Sequence, residues 1–405
     1  MPTTLDGLED IVATHSRICD LDGQLGKLTY YGVDIHDLAN FSSFEETAYL
    51  LWNGVLPTQT QLEDLSTRLR AQRALPTQVL ELMHLLPKTT TPMDVLRTAV
   101  STLSAFDGHL DDTSAEANHR RAERLTAVMP TIVTSWEHIR HGRDPIAPLA
   151  DHDHATNFLY MLTGQMPDEY TAHVLNVALV LHADHELNAS TFAARVTAAT
   201  LADMYAAIAS AVGTLSGPLH GGANEQVIRM LLRIGEVANA EAYIEGALSR
   251  KERIMGFGHR VYRTADPRAG YLRGMSQELG QRSGESKWFE MSQIVERVVK
   301  ERKGLYVNVD FYSASVYYTM GIPIDLDTAI FACSRVAGWT AHVLEQYAHN
   351  RLIRPRAEYE GPKTSLTRPL TSGTDTHTLS LVPPPTSRKC SAYASRRCTS
   401  CFSSS

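Results

Sequence analysis

The sequence of 405 residues is poor in cysteine and has no excess of positive charge. Its 5 cysteines contain one CxxC pair, Cys398 and Cys401, without a second pair or a histidine at ligand spacing, which argues against a disulfide framework and a zinc site. With 38 Lys and Arg against 45 Asp and Glu, the formal net charge is -7, so nucleic acid is not an expected partner. The sequence also lacks an apolar run of the roughly 20 residues that a membrane-spanning helix needs.

The N-terminal segment and the overall composition indicate where the protein is located. Segment 1–9 carries acids and no arginine, and so resembles neither a signal peptide nor a transit peptide. Hydrophobic residues make up 43% of the chain and charged residues 20%, as in ordinary globular proteins. We therefore expect a cytoplasmic protein with no membrane partner.

Helical periodicity is present along most of the chain. A glycine-bearing turn at 22–26 separates segments 17–20 and 27–31, which predicts one β-hairpin. Ser43 and Glu46 form a capping box that opens a helix ending at Gly54. Apolar spacing predicts further helices after Thr58 and near 77–86, 92–105, 116–139, 155–164, 168–184, 222–235, 239–250, 285–303, 308–320 and 326–349. The predicted fold class is all-α.

Three stretches need separate interpretation. Residues 191–215 are rich in alanine and poor in charge, which predicts one long helix in the protein centre or in a subunit interface; we favour the interface. Between 251 and 280, glycine, proline and arginine interrupt the helical pattern, as is typical of a ligand-binding loop. Serine, threonine and proline dominate 363–405, which predicts a disordered tail.

His220 lies in the segment SGPLHGGANE, where one helix ends and the next begins near Gly222. The positive end of the second helix disfavours protonation of the imidazole. A neutral ring could donate a hydrogen bond to a developing enolate oxygen. The alternative is a turn histidine whose polar atoms bond to the backbone, and the segment alone favours neither.

His259 lies in the segment RIMGFGHRVYR. Gly256 and Gly258, on either side of Phe257, permit unusual backbone angles and close contact with a planar ligand such as adenine. The spacing is not GxGxxG and no predicted strand precedes it, which disfavours a Rossmann-type nucleotide site. Four basic residues could bind phosphates, although a solvated basic surface is the commoner role of such a run: Lys251, Arg253, Arg260 and Arg263.

Asp310 begins a predicted aromatic-rich helix in the segment NVDFYSA. An acid at this place is either the helix N-cap or, in a dry pocket, a base of raised pKa. Three arginines, Arg268, Arg335 and Arg354, could hold carboxylates with their planar forks or form structural ion pairs.

The segments GPLHGGANE, GFGHRVYR…DPR and NVDFYSA together make the chain resemble the citrate synthases of the short, dimeric prokaryotic type, a group that includes 2-methylcitrate synthases. The resemblance extends from Gly7 to Tyr359. It implies a homodimer in which a small helical domain, about 223–330, closes over a large domain made of 1–222 and 331–362. The tail after Pro362 departs from the family.

The resemblance also implies roles for individual residues. His220 would steady the enol of acetyl-CoA, Asp310 would remove its methyl proton, and His259 would protonate the oxaloacetate carbonyl. Coenzyme A thioester is then a substrate, and no metal or other cofactor is expected. The implied oxaloacetate contacts are His185, His220, His259, Arg268, Arg335 and, from the partner subunit, Arg354. The implied coenzyme A contacts are Lys251, Arg253, Met255, Gly256, Phe257, Gly258 and Arg263.

Three alternatives stay open on the sequence alone. A 2-methylcitrate synthase would use propionyl-CoA, and one methylene is worth only about 1–3 kcal/mol of discrimination. A metal-dependent hydrolase could use the His- and Asp-containing clusters 151–154 and 182–186, although neither fits HExxH or HxxEH. A helical scaffold without enzymatic activity is the third.

Overall fold

A small antiparallel sheet precedes the helices in the computed structural model, which describes Gly7 and residues 11–361. Strand β1 (Cys19–Asp22) pairs with β2 (Lys27–Tyr30), and β2 pairs with β3 (Val33–Asp34). The predicted hairpin is therefore present, with a third strand that the sequence pattern did not indicate. The predicted disordered tail, 363–405, lies outside the described residues.

The described part of the chain is otherwise helical, which confirms the all-α class. None of these helices is long and apolar enough to cross a membrane. The helices are α1 (Ile35–Phe41), α2 (Phe44–Asn53), α3 (Gln59–Ala71), α4 (Thr77–Leu85), α5 (Pro92–Leu103), α6 (Ala115–Arg140), α7 (His154–Thr163), α8 (Glu169–His182), α9 (Ala189–Ala198), α10 (Met204–Leu215), α11 (Ala223–Ile234), α12 (Ala240–Ser249), α13 (Ala269–Ser283), α14 (Lys287–Lys303), α15 (Val309–Thr319) and α16 (Asp327–Ala348).

Two long helices, α6 and α16, run through the interior and contact each other. Helix α16 also packs against α2, α8, α9 and α10, and α6 packs against α5 and α7. Trp136 of α6 and Trp339 of α16 are fully buried, and such large aromatic side chains contribute strongly to core stability. This packing fixes the C-terminal end of α8, which leads into the candidate site.

Helices α11 to α15 pack mainly on one another. Helix α13 contacts α14 and α15, α15 contacts α11, and α12 contacts α14. The buried hydroxyls of Ser276 and Ser315 are 2.7 Å apart and link α13 to α15. This second group carries Asp310, at the start of α15.

Two helix predictions were wrong in detail. The stretch 191–215 is two helices, because Leu201 has a positive φ of 64° and Asp203 caps α10 by accepting a hydrogen bond from the Ala206 N–H. The stretch 251–280 is irregular only up to the start of α13 at Ala269. The glycines of α13 weaken its helical signal, but burial of Leu272 and its neighbours against α15 outweighs that local cost.

Candidate active site

His220 lies in the turn before α11, where its ring is held by Ser190. Ring atom Nε2 accepts a hydrogen bond from the Ser190 backbone N–H at 3.2 Å and lies 2.8 Å from the Ser190 hydroxyl oxygen. Because Nε2 is an acceptor, the proton of the neutral ring is on Nδ1. Burial, reinforced by the charge of Arg335, lowers the pKa of His220 to about 4. The ring is thus a neutral donor at physiological pH.

A short backbone pairing holds the loop 255–259 against the residues that precede α15. Phe257 forms an isolated antiparallel bridge with Val307. The Asn308 N–H also donates to the Gly256 carbonyl at 2.9 Å. The loop that ends in the second candidate histidine therefore lies beside the first turn of α15.

His259 is oriented by the backbone that follows it. Its Nδ1 accepts hydrogen bonds from the N–H groups of Val261 at 3.0 Å and Tyr262 at 3.2 Å, so the proton of the neutral ring is on Nε2. Burial and the charge of Arg268 lower the pKa of His259 to about 4. The ring of His185 lies edge-on to it, with 5.0 Å between centroids.

His185 is buried at the end of the turn that follows α8. Its Nε2 lies 3.3 Å from the hydroxyl of Tyr262. Burial, followed by the charges of Arg268 and His259, holds the pKa of His185 well below its usual range. The site therefore contains three imidazoles that stay neutral at physiological pH.

Asp310 is in the first turn of α15, but it is not the cap of that helix. Asn308 is the cap, and its side-chain oxygen accepts the Asp310 N–H at 3.1 Å. Burial raises the pKa of Asp310 to about 6, against the opposing charge of Arg268. The residue as a whole is half-buried, and within residues 11–361 no group donates a hydrogen bond to its carboxylate. A carboxylate in this state can accept a proton from a bound molecule.

Arg268 is held by a buried carboxylate. The Asp266 carboxylate accepts hydrogen bonds from Nε of Arg268 at 2.9 Å and from Nη2 of Arg268 at 2.8 Å. The same carboxylate accepts the Val309 N–H at 3.1 Å, which connects Arg268 to the start of α15. Burial alone would lower the pKa of Arg268, but the Asp266 carboxylate reverses that direction, so the guanidinium stays charged.

Arg335 is buried in α16. Its Nε donates to the His182 carbonyl at 2.7 Å, and its guanidinium lies 4.6 Å from the centre of the Phe331 ring. Burial lowers the pKa of Arg335 to about 10, which still leaves it charged at neutral pH. The amino groups at the end of this side chain form no hydrogen bond within the described residues, so they can receive a carboxylate.

The two arginines connect the candidate catalytic groups electrostatically. Arg335 affects the pKa of both His220 and Asp310. Arg268 affects the pKa of both His259 and Asp310. Because Coulomb interactions weaken with distance, groups that share these two charges belong to one region of the protein.

Other predicted contact residues lie outside this group. Arg354 is exposed in the irregular segment after α16 and lines a cleft of about 1100 Å³ together with 13–17 and the end of α16. Neither His220 nor Asp310 lines that cleft. Lys251, Arg253 and Arg263 are exposed, and Met255 is half-buried against the core.

Three residues of the site had no assigned role in the sequence analysis. Ser190, Tyr262 and Asp266 orient His220, His185 and Arg268, respectively. Asp266 is two positions from its arginine and so offered a local signal, the DPR segment. Ser190 is 30 positions from His220, and Tyr262 is 77 positions from His185, so only the folded chain reveals these contacts.

The clusters considered for metal binding are used in other ways. Asp153 caps α7, with its side chain accepting the Thr156 N–H, and His154 is buried against Phe44. The Nδ1–H of His182 donates a hydrogen bond to the Ala178 carbonyl, 2.7 Å away. Within residues 11–361, no three His, Cys, Asp or Glu side chains are arranged so that they could hold a metal ion.

Neutral imidazoles, a carboxylate of raised pKa and two buried arginines are the groups that acid–base chemistry on an anionic substrate uses. The family model described as "Citrate synthase, C-terminal domain" matches residues 7–356. The chain belongs to the citrate synthase family, and it is an enzyme of the citrate synthase class.

Individual relatives agree with this assignment. Citrate synthase 2 of Bacillus subtilis is 52% identical over 361 residues, which cover 89% of this chain and 96% of the relative. The citrate synthase of Haloferax volcanii is 51% identical, over 88% of this chain and 96% of the relative. A citrate synthase of Thermoplasma acidophilum, solved as a ternary complex with carboxymethyl coenzyme A and oxaloacetate, has a TM-score of 0.85 and 32% identity, over 90% of this chain and 98% of that chain.

Proposed function

We propose that the chain condenses acetyl-CoA with oxaloacetate and hydrolyses the resulting citryl-CoA, with Asp310 as the base. The pKa of about 6 for this carboxyl is the observation that carries the proposal. At neutral pH the group is ionised, yet it is far more basic than an ordinary aspartate, as general base catalysis requires. The relatives of this chain named above are citrate synthases, which supports acetyl-CoA as the substrate over a larger acyl thioester.

The first step is removal of a proton from the methyl group of acetyl-CoA. A thioester methyl is a very weak acid, so Asp310 can act only if the enol oxygen is stabilised as it forms. The Nδ1–H of neutral His220 is the donor for that oxygen, because its Nε2 is bonded to Ser190. The N–H of a neutral imidazole stabilises the enol oxygen by a hydrogen bond, without forming an ion pair with it.

The second step is attack of the enol carbon on the ketone of oxaloacetate. The Nε2–H of His259 donates its proton to the ketone oxygen as the new carbon–carbon bond forms, and the proton that Asp310 took from the methyl group then restores the neutral ring. Arg268, Arg335 and His185 bind the two carboxylates, and their charges polarise the ketone. Water then cleaves the thioester of citryl-CoA, which releases citrate and CoA. The condensation forms a carbon–carbon bond and the hydrolysis breaks a carbon–sulfur bond, but neither involves a net oxidation or reduction, so no redox cofactor is needed.

Coenzyme A is proposed to lie along the loop that carries His259. The exposed side chains of Lys251, Arg253 and Arg263 suit its phosphates, and the loop backbone at 256–258, beside Met255, suits a planar adenine. Closure of 223–330 over 1–222 and 331–362 would then exclude water during condensation. The packing of α11 to α15 on one another supports such a moving unit.

The enzyme is proposed to work in the cytoplasm as a homodimer in which Arg354 completes the oxaloacetate site of the partner subunit. The exposure of Arg354, away from His220, supports this arrangement. The outer face of α10 carries small, half-buried residues such as Ala206, Ala209 and Gly213, which would let a second copy approach closely.

The proposal is tested by incubating the purified protein with oxaloacetate and acetyl-CoA and measuring free thiol and citrate. A parallel reaction contains propionyl-CoA. We expect citrate and CoA in equal amounts and a higher kcat/KM for acetyl-CoA. Absence of thiol release with either thioester would refute the proposed activity, and a higher kcat/KM for propionyl-CoA would assign 2-methylcitrate synthesis instead.

A further inference from the structure

Tyr262 lies between two of the histidines assigned above to oxaloacetate. Its side chain is 4% exposed, and its ring centre is 4.7 Å from that of His259 and 5.6 Å from that of His185. Its backbone N–H donates to Nδ1 of His259 at 3.2 Å, while its hydroxyl lies 3.3 Å from Nε2 of His185. One residue therefore contacts both imidazoles, through different groups.

The direction of the hydroxyl contact follows from counting protons. Within the described residues, the Tyr262 hydroxyl has no polar partner other than His185. If the imidazole donated to the phenol oxygen, the buried phenol proton would have no acceptor, which is costly. If the phenol donates, its proton is satisfied. Burial also raises the pKa of Tyr262, so the phenol keeps this proton at physiological pH.

The consequence appears on the other nitrogen of the ring. A neutral His185 that accepts at Nε2 carries its proton on Nδ1. An N–H can donate to a carboxylate, whereas a bare ring nitrogen would repel it. The same neutral ring in the other tautomer would therefore weaken the binding of a dicarboxylate.

We propose that Tyr262 is a positioning residue that holds His185 in the tautomer able to donate to a carboxylate of oxaloacetate. This inference rests on the proposed function and adds to it a residue that acts on substrate binding without touching the substrate. The backbone keeps the tyrosine in place, because the next residue, Arg263, donates its N–H to the Gly23 carbonyl at 2.9 Å in the β1–β2 turn.

The variant Tyr262→Phe removes the hydroxyl and keeps the ring. Tyr205→Phe is the matched control, because Tyr205 is also buried and its hydroxyl also lies 3.3 Å from a single side-chain acceptor, Asp107, away from the site. We measure the Kd of oxaloacetate by calorimetry, the KM of both substrates and kcat by thiol release, and the Tm. Loss of one hydrogen bond predicts that Tyr262→Phe weakens oxaloacetate binding roughly 2- to 12-fold, with the KM of acetyl-CoA unchanged. Tyr205→Phe should leave oxaloacetate binding unchanged.

A double-mutant cycle separates positioning from packing. In a His185→Ala background, adding Tyr262→Phe should change the Kd of oxaloacetate by less than about 2-fold, because the group through which it acts is gone. An equal weakening in both backgrounds would overturn the inference. So would an unchanged Kd in Tyr262→Phe, or a Tm more than about 5 °C below that of Tyr205→Phe, which would assign the hydroxyl to packing. A wild-type protein without thiol release would instead refute the proposed function, while the calorimetric comparison would still test Tyr262.

Discussion

The Ser190 N–H donates to Nε2 of His220 at 3.2 Å, and the Ser190 hydroxyl lies 2.8 Å from the same nitrogen. The backbone N–H of Ser190 defines which ring nitrogen of His220 carries the proton, whereas the hydroxyl proton of Ser190 also has Asn188 Oδ1 as an acceptor, at 2.8 Å. The Ser190 hydroxyl also accepts the Trp339 indole N–H at 3.1 Å, so this arrangement is anchored in the core helix α16. The packing of the protein interior therefore determines that His220 donates through its Nδ1–H.

Replacing the serine hydroxyl tests this relationship. Ser190→Ala keeps the backbone donor but removes the hydroxyl, and we expect kcat to fall roughly 2- to 12-fold. The Trp339 N–H would lose its acceptor, which should cost about 1–3 kcal/mol in the free energy of unfolding. Ser292→Ala is the control, because Ser292 is equally buried but bonds only to its own helix. Equal kcat in the two variants would contradict the role given to Ser190.

Asp310→Asn should stabilise the folded protein at neutral pH. The folded-state pKa of Asp310 is raised to about 6 from an ordinary value of 3.8, so its contribution to stability is present below the ordinary value and is lost as pH rises through the folded value. The amide removes this penalty, and the Tm gain should disappear as the pH falls towards about 4. A Tm that falls at neutral pH would contradict the raised pKa.

Asp325→Asn is expected to change the Tm at neutral pH in the opposite direction. A hydrogen bond from Arg140 lowers the pKa of Asp325, so its contribution to stability is present above the ordinary value and is lost as the pH falls. We therefore expect Asp325→Asn to lower the Tm at neutral pH. Thermal unfolding of the two variants in the same buffers checks both directions.

Gly256 and Gly258 offer a test of how closely the loop approaches its neighbours. Both have positive φ, 83° and 77°, so alanine at either position is strained by about 1–3 kcal/mol. At Gly256 an added Cβ would also lie 2.8 Å from atoms of Phe311 and Val227, whereas at Gly258 the nearest atom is 3.8 Å away. Gly256→Ala should thus have the lower Tm and the higher KM for acetyl-CoA. Equal effects would show that backbone strain alone matters.

The proposed role of Arg354 can be tested by mixing two inactive variants. Arg354→Ala and Asp310→Asn chains, co-expressed with different tags, should form mixed dimers with one intact site, made from Asp310 of one chain and Arg354 of the other. Purified mixed dimers should recover about half the wild-type activity, since one of two symmetric sites is complete. Each variant alone is the control. No recovery would contradict a contribution across the interface.

Local sequence signals accounted for most helices and several of their ends. The Ser43 capping box is present, with the Glu46 side chain accepting the Ser43 N–H, and Gly54 ends α2 in the left-handed conformation. These features depend on neighbouring residues and so can be predicted from the sequence. The division of 191–215 depends on Leu201 adopting a positive φ, which is rare for leucine and leaves no local signal.

The candidate site was predictable in a similar, partial way. The segments around His220, His259 and Asp310 could be recognised, but their pKa shifts could not, because burial and the charges of Arg268 and Arg335 arise only in the folded chain. The sequence pointed to the positive end of a helix as the reason for a low pKa of His220, whereas burial is the main cause of that low pKa in the folded chain.

The most direct test of the account is CoA release from acetyl-CoA and oxaloacetate by wild type and by Asp310→Asn, measured at saturating substrates with both proteins shown to be folded. Loss of the general base predicts a fall in kcat of roughly 10²–10⁴-fold for the variant. A variant that releases CoA within about threefold of the wild-type rate would contradict the assignment of Asp310 as the base.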